Sequence, residues 1–163
     1  MKRSKSTLAI LFFTALAVAF AAAQAVRLEP APAPLKLMAV HERLAVPGPV
    51  QQVLNRACND CHSTDTRWPW YSRVAPVSWM VTRDVQAGRK AMSIDAWSAN
   101  NRRRTMGELM AACAVAQAGL MPPKAYTLIH REARLTAADV TTLCEWTAME
   151  TKTLSARVST PPR

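Results

Sequence analysis

The chain has 163 residues, among them 21 Lys or Arg against 11 Asp or Glu, and its formal net charge at pH 7 is +10. This length accommodates one compact domain with its own core and excludes two ordinary ones. The basic charge suits an acidic protein partner or anionic lipid. No basic stripe with interleaved aromatic residues accompanies it, so nucleic-acid binding is not expected.

The N-terminus has the features of an export signal. Its charged start contains three basic residues, Lys2, Arg3 and Lys5. An apolar stretch follows over residues 8–23, and Ala23-Gln24-Ala25 matches the small-residue pattern of a cleavage site. We therefore predict a signal peptide over residues 1–25, whose removal leaves 138 residues with a net charge of +7, because three basic residues go with it. An uncleaved membrane anchor is the alternative, since the apolar stretch is close to the shortest length that spans a bilayer.

Residues 26–43 are predicted to form a linker rich in proline and alanine. In Glu29-Pro30-Ala31-Pro32-Ala33-Pro34 every second residue has a fixed φ angle and no backbone donor, as in an extended tether. The folded domain is predicted to cover residues 44–154, and residues 155–163 are predicted to be a flexible tail.

The first helix of the domain is predicted after Pro47-Gly48-Pro49, because proline is favoured in the first turn of a helix. Its apolar positions recur at helical spacing: Val50, Val53, Leu54 and Ala57. One face of this helix is expected to pack on another helix, and its end leads directly to Cys58.

The segment Cys58-Asn59-Asp60-Cys61-His62 has the CxxCH spacing at which a polypeptide captures haem covalently. In such a site the thiols of Cys58 and Cys61 add across the porphyrin vinyl groups, and His62 supplies an imidazole to the iron. A thioredoxin-like redox pair would need strand-helix-strand alternation around it, which the sequence lacks. A structural zinc site would need four ligands, and the remaining cysteines and histidines form no second metal-binding pair.

Three large aromatic side chains follow the motif: Trp68, Trp70 and Tyr71. We expect them to cover a haem edge, exclude water and hydrogen-bond a propionate, with ordinary core packing as an equal alternative. Arg67 and Arg73 flank them, and either guanidinium suits a propionate. A solvated arginine is the commoner outcome.

Two helices are predicted in the middle of the domain. The first begins at Pro76 and meets Gly88, which either ends the helix or allows another backbone to approach closely. A short turn capped by Ser93 follows. The second helix begins at Arg102-Arg103-Arg104 and ends at Gly119. Three arginines at a helix start oppose the helix dipole; a solvated patch is expected, with partner docking or propionate binding as alternatives.

Met121-Pro122-Pro123 comes immediately after that helix. A haem iron bonded to His62 has a ligand or an open position on its other side, and a thioether in a proline-stiffened loop suits that position. Met121 is therefore the predicted distal ligand, since the other methionines lie before the domain or in predicted helices, where core packing is usual. His130 is the main competitor, because imidazole is an equally good axial ligand, and His41 is a weaker one.

The last helix is predicted to open at Thr136-Ala137-Ala138-Asp139, which resembles a capping box with Asp in place of Glu. Cys113 and Cys144 lie on the apolar faces of two predicted helices. In an oxidising compartment they would be able to form a disulfide that closes a loop of about 30 residues, worth on the order of 3 kcal/mol in the chain-entropy model. Two buried free thiols are the alternative.

These motifs together resemble the bacterial haem-binding domain family of small c-type cytochrome-like proteins. The resemblance covers roughly residues 45–148. It rests on CxxCH, Pro-Trp-Tyr at 69–71, Ala-Pro-Val-Ser-Trp at 75–79, Trp97, Met121-Pro122-Pro123, Tyr126, His130 and Trp146. Thr64 departs from the pattern, where Asn is expected. The resemblance implies haem binding and agrees with Met121 as the distal ligand.

The predicted fold is all-α, a compact single-domain c-type cytochrome-like helical fold around a covalently attached haem, with essentially no sheet. The predicted function is periplasmic one-electron transfer by a monohaem protein, with one haem c as cofactor and a redox partner protein that presents an acidic face. A haem enzyme of the peroxidase kind and a haem-based redox or gas sensor are the alternatives, and both need a distal position that is vacant or easily vacated. We expect no nucleic-acid partner, and membrane contact only through a retained N-terminal segment.

Overall fold

The computed structural model of the protein describes residues 5–26, 28, 44–97 and 102–158. Within these ranges the regular elements are helices and no strand is present, so the predicted all-α class is confirmed. The α-helices are α1 (Lys5–Ala25), α2 (Gly48–Ala57), α3 (Asn59–His62), α4 (Val77–Ala91), α5 (Arg102–Gln117), α6 (Lys124–Ile129) and α7 (Ala137–Val158). Short 3₁₀ turns lie at Trp70–Arg73, Ile94–Ala96 and Arg131–Ala133.

Helix α1 is apolar between its polar first turn and Gln24, apart from Thr14, and none of its residues is buried. Its 21 residues have a mean hydropathy of 2.2 over the most apolar window. By length and composition it is able to cross a membrane, as both signal sequences and anchors are. The predicted linker that follows falls outside the described residues, apart from Val26 and Leu28.

The core lies between α2, α5 and α7. Its largest fully buried side chains are Val50, Leu54, Leu109, Trp146 and Leu154. The rings of Trp97 and Trp146 lie 5.7 Å apart between centroids. Each buried indole N–H has a partner: Trp97 donates to Glu108 Oε2 at 2.9 Å and Trp146 to the carbonyl of Ala45 at 3.2 Å. The core is therefore apolar without leaving its indole donors unpaired.

A disulfide between Cys113 and Cys144 joins α5 to α7. Both cysteines lie on faces that the two helices turn towards each other, which is the arrangement expected from the helical spacing of their neighbours. The bridge closes a loop with a sequence separation of 31 residues. It therefore fixes α5, the helix that precedes Met121, to the longest helix of the domain.

The start of α7 has the capping geometry expected from its sequence. The amide of Asp139 donates to Thr136 Oγ1 at 3.2 Å, and the Asp139 carboxylate accepts the amide of Thr136 at 2.8 Å. The same carboxylate forms an ion pair with Arg56 at the end of α2. One side chain thus caps α7 and joins it to the helix that leads into CxxCH.

Three local features differ from the sequence-based expectations. Gly88 does not end α4, which continues to Ala91. Ser93 makes no capping hydrogen bond, and its hydroxyl is buried without a partner. Helix α7 continues to Val158, past the predicted domain end at 154, because Leu154 in its last turns is only 2% exposed and packs in the core.

Candidate functional site

A cavity of about 600 Å³ lies between the CxxCH segment, helices α4 and α5, and the loop after α5. Its volume falls in the range of about 300–1,000 Å³ that is usual for cofactor pockets. The four residues predicted to attach or ligate haem all line it: Cys58, Cys61, His62 and Met121. The fold thus joins two motifs that lie about sixty residues apart in the sequence.

Small side chains make room for a flat group between α4 and α5. Helix α4 contributes Ala87, Gly88 and Ala91 to the wall, and α5 contributes Gly107, Ala111 and Ala112. On each helix these positions are one turn apart or adjacent, so they form one face. Larger side chains at these positions would fill the cavity from both sides.

The break between α2 and α3 turns the CxxCH residues towards the cavity. At Cys58 the backbone leaves helical geometry, with φ −126° and ψ −41°, and α3 then forms a single turn that ends at His62. The amide of His62 donates to the carbonyl of Cys58 at 2.9 Å, which closes that turn. The turn therefore gives the two cysteines and the histidine a common direction.

The electrostatics of Cys58 and Cys61 do not suit a redox-active pair. Burial raises the pKa of Cys58 to about 12 and that of Cys61 to about 11. Redox-active CxxC sites have lowered thiol pKa values instead, so the thioredoxin-like alternative gains no support. Among the described residues, no group of three His, Cys, Asp or Glu side chains is arranged to hold a metal ion. The zinc alternative therefore gains no support.

One ring nitrogen of His62 is already engaged by the protein. Its Nδ1 lies 3.1 Å from the carbonyl oxygen of Met92, so the imidazole donates from Nδ1 and keeps the lone pair of Nε2 for a metal. Met92 immediately follows α4, and its carbonyl is therefore free of the helical hydrogen-bond ladder. A metal-ligating histidine usually donates its second N–H in this way.

Gly88 allows α4 to lie directly against the CxxCH turn. A Cβ atom built on Gly88 would be 2.6 Å from the carbonyl oxygen of Cys61 and 3.1 Å from its Cβ. Both contacts are with the motif itself, and the nearest is with rigid backbone. The close approach predicted as one of two roles for Gly88 is therefore the role that the structure supports.

The chain beyond CxxCH is tied to the same helix. Arg89 on α4 donates from Nε to the carbonyl of Ser63 at 2.9 Å and from Nη2 to Thr66 Oγ1 at 3.0 Å. Thr66 in turn donates to the carbonyl of Asp60 at 2.8 Å. The motif is thus enclosed by hydrogen bonds on its C-terminal side, and Thr64 lies within the segment that they hold.

Met121 is positioned by the end of α5. Gly119 adopts the left-handed conformation, with φ +64°, and reverses the chain there. The amides of Leu120 and Met121 then both donate to the carbonyl of Val115, at 3.0 and 3.3 Å. Met121 lines the cavity while 42% of its surface is exposed, so this wall is less enclosed than the CxxCH wall.

Asp60 and Tyr126 connect the two walls. Tyr126 lies in α6, just after the Met121 loop, and its hydroxyl donates to Asp60 Oδ2 at 2.8 Å. Arg67 donates to the other carboxylate oxygen at 3.1 Å. Although burial opposes ionisation, these hydrogen bonds hold the pKa of Asp60 below its usual value. Burial and the bond to Asp60 raise the pKa of Tyr126.

His130, the predicted competitor of Met121, has both ring nitrogens engaged outside the cavity. Nε2 lies 2.6 Å from the Tyr71 hydroxyl and Nδ1 lies 3.2 Å from Glu132. Its ring stacks on Tyr126 at 4.3 Å between centroids, and it is not among the lining residues. The structure favours a supporting role for His130 behind Tyr126. The weaker candidate, His41, lies outside the described residues.

The aromatic run lies away from the cavity. Trp68, Trp70 and Tyr71 are not among its lining residues, and Trp70 is 78% exposed. The turn Trp70–Arg73 directs Tyr71 to His130 and leaves the Trp70 indole at the surface. Among the described residues, Tyr126 is the aromatic side chain that lines the wall. The aromatic run, for which covering of a haem edge and core packing were both expected, does not line the cavity.

Arg67 and Arg73, the predicted partners of a haem propionate, also lie outside the lining of the cavity. Arg67 is bound to Asp60, and neither Arg67 nor Arg73 lines the cavity. Arg104 does, and it donates to Glu108 Oε1 at 2.8 Å. Residues 104, 108, 111 and 115 recur at helical spacing and lie on one face of α5. This spacing would have distinguished Arg104, which lines the cavity, from Arg102 and Arg103, which do not.

The donor set of the cavity fits haem. It offers two thiols at the attachment spacing, an imidazole whose outer nitrogen is already bonded, and a thioether in a separate wall. Such ligands are those of c-type haem centres. The polar lining residue Arg104 provides a guanidinium group for a carboxylate group of a ligand.

A haem-binding domain family model matches residues 18–149 of this chain. Comparisons with curated proteins and with solved structures gave no match. The family match extends from the end of α1 through most of α7 and includes the whole cavity. The chain therefore belongs to the haem-binding domain family.

Proposed function

We propose that this protein is an exported monohaem c-type cytochrome-like protein that transfers single electrons. Family membership supports haem binding. One observation carries the finer proposal: Cys58, Cys61, His62 and Met121 line a single cavity. The other two cysteines, Cys113 and Cys144, are joined to each other, so Cys58 and Cys61 are the thiols that remain for haem attachment.

Cys58 and Cys61 are the proposed attachment points. Each thiol adds its sulfur and its hydrogen across one vinyl group, so no atom is lost and no oxidant is consumed. The raised pKa values keep both thiols in the protonated form that carries this hydrogen. Gly88 and the hydrogen bonds around α3 hold the turn in place for both additions.

His62 and Met121 are the residues that would hold the iron of a bound haem. The carbonyl of Met92 orients His62 and fixes its donating nitrogen, which would leave Nε2 for the iron. Met121 is held by the end of α5 and by the Asp60–Tyr126 hydrogen bond between the two walls. Bound haem supplies an iron that cycles between ferric and ferrous states. Ligands held in this way need little rearrangement between the two charges.

The redox partner is proposed to be a protein with an acidic face, because the chain carries a net charge of +10. The apolar helix α1 after a basic start and the disulfide, which persists outside reducing compartments, both support export. The periplasm is the proposed location.

The test of attachment is expression in a bacterium with its haem-attachment machinery, followed by haem staining of the denatured protein. The wild type should retain haem after denaturation. Cys58→Ala and Cys61→Ala should each lose one linkage, and the double variant should lose covalent haem completely. Cys113→Ala is the matched control and should keep it. Haem that washes out of the denatured wild type would contradict covalent attachment.

The test of ligation is Met121→Ala. The ferric wild type should show the weak far-red absorption band of methionine ligated to haem iron, and the variant should lose it. His130→Ala, which changes a histidine outside the cavity, should keep it. Slow binding of carbon monoxide to the reduced wild type would support electron transfer. Rapid binding would support the haem enzyme or the gas sensor, since Met121 would then be easily displaced.

A further inference from the structure

Helix α1 is an apolar surface that the domain leaves uncovered over most of its length. It contains 21 residues and none of them is buried. At 1.5 Å per residue it is about 31 Å long, which matches the hydrocarbon thickness of a bilayer, about 30 Å. Its length and composition alone do not distinguish a discarded signal from an anchor.

The C-terminal end of α1 is bonded to the domain. The Gln24 side chain bonds the backbone of Ala75 in both directions: Oε1 accepts the Ala75 amide at 3.0 Å, and Nε2 donates to its carbonyl at 3.3 Å. Trp79 on α4 donates from its indole nitrogen to the carbonyl of Val26 at 2.8 Å. Ala75 is only 2% exposed, so without Gln24 its amide would lose a partner in a place shielded from water.

The family match supports a lasting role for this end of the helix. It begins at residue 18, within α1, and thus includes the residues that bond Ala75 and Trp79. The first part of the helix, which a signal and an anchor share, lies outside the match. A segment that belongs to the family's domain is expected to remain in the mature protein.

We propose that α1 is retained as a membrane anchor whose end docks on the domain through Gln24 and Trp79. The basic residues before α1 keep the N-terminus on the cytoplasmic side. The domain then lies on the outer face, and the docking point holds one side of it at the membrane surface. This inference replaces the expected cleavage before Val26 and does not depend on electron transfer.

The first experiment examines the full chain with a C-terminal affinity tag in bacterial membranes. The protein should stay in the membrane pellet after alkaline carbonate extraction, and its intact mass should include residues 1–25. A protein that is released by carbonate with a mass starting at Val26 would overturn the proposal.

The second experiment tests docking by hydrogen exchange in phospholipid nanodiscs. Gln24→Leu keeps α1 apolar but removes both bonds to Ala75, and should speed exchange of the Ala75 amide about tenfold. The control, Gln52→Leu, changes an exposed glutamine on α2 and should leave that rate unchanged. Equal rates in wild type and Gln24→Leu would overturn docking, even if α1 is retained.

Discussion

The two walls of the haem cavity differ in how firmly they are built. The CxxCH wall is enclosed by hydrogen bonds from α4. Gly88 of α4 lies so close to the Cys61 carbonyl that a side chain at position 88 would clash with it. The Met121 wall is a short loop in which Met121 is 42% exposed, and it depends on bonds to the end of α5 and on Tyr126. The comparison indicates that the proposed attachment turn is held rigidly, while the proposed distal side is open to adjustment.

The largest expected effect on haem content is that of Gly88→Val in the rigid wall. A valine would place Cβ against the Cys61 carbonyl, and overpacking of this kind costs about 1–3 kcal/mol. Because the strain falls on the attachment turn itself, covalent haem per chain should fall about tenfold, a factor that corresponds to roughly 1.4 kcal/mol. Haem staining against total protein measures it.

Gly48→Val is the control for this substitution. Gly48 also lies in a helix, but a Cβ atom there meets nothing within 4 Å. This variant should bind haem like the wild type. Equal haem content in the two glycine variants would show that the close approach of α4 does not matter for attachment.

Removal of the disulfide should weaken the support of the Met121 wall. The double variant Cys113→Ala/Cys144→Ala frees a loop with a separation of 31 residues, for which the chain-entropy model gives about 3–4 kcal/mol at 25 °C. Urea unfolding should show this loss, while haem remains attached through Cys58 and Cys61. Reduction of the wild type should reproduce the effect; an unchanged midpoint would mean that α5 and α7 are held without the bridge.

Tyr126→Phe should loosen the connection between the two walls. It removes one hydrogen bond to the Asp60 carboxylate, which keeps Arg67 as a partner, so the cost should be about 1–2 kcal/mol. Carbon monoxide should bind the reduced variant several times faster, because the Met121 loop is less restrained. Stopped-flow absorbance measures this rate.

Tyr71→Phe is the matched control, since it removes the hydroxyl that contacts the opposite side of His130. It should lower stability slightly without changing the rate of carbon monoxide binding. If both tyrosine variants accelerate binding equally, the Asp60 bond is not what restrains the loop.

The sequence was most informative where function depends on neighbours in the chain. CxxCH and the proline-rich Met121 loop are local patterns that line one cavity, and the Thr136–Asp139 cap has the hydrogen bonds that its pattern predicts. Contacts over long separations in the sequence were not predictable. Asp60 and Tyr126 are 66 residues apart, and Tyr71 and His130 are 59 apart. The aromatic run was expected to cover a haem edge or to pack in the core; it does not line the cavity, and its role at a haem stays a prediction.

The last expected effect concerns the ion pair that joins the helices behind the two walls. Arg56 ends α2 on the CxxCH side, and Asp139 caps α7, which supports α5. The hydrogen bond from Arg56 and those from Thr136 outweigh burial and lower the pKa of Asp139 from 3.8 to about 2. The folded state therefore binds fewer protons than the unfolded state between these values, and stability rises with pH across that interval.

Asp139→Asn should accordingly cost about 1–2 kcal/mol at pH 7, after allowance for partial exposure of the pair. The difference from the wild type should be constant above about pH 5 and should shrink as the pH falls towards about 2, where half of the wild-type carboxyl groups are protonated. Urea unfolding at several pH values measures it, with the exposed Glu145→Gln on the same helix as control. A difference that does not change between pH 2 and pH 7 would mean that the cap, which asparagine partly keeps, matters more than the charge, and that the two walls are not coupled through this ion pair.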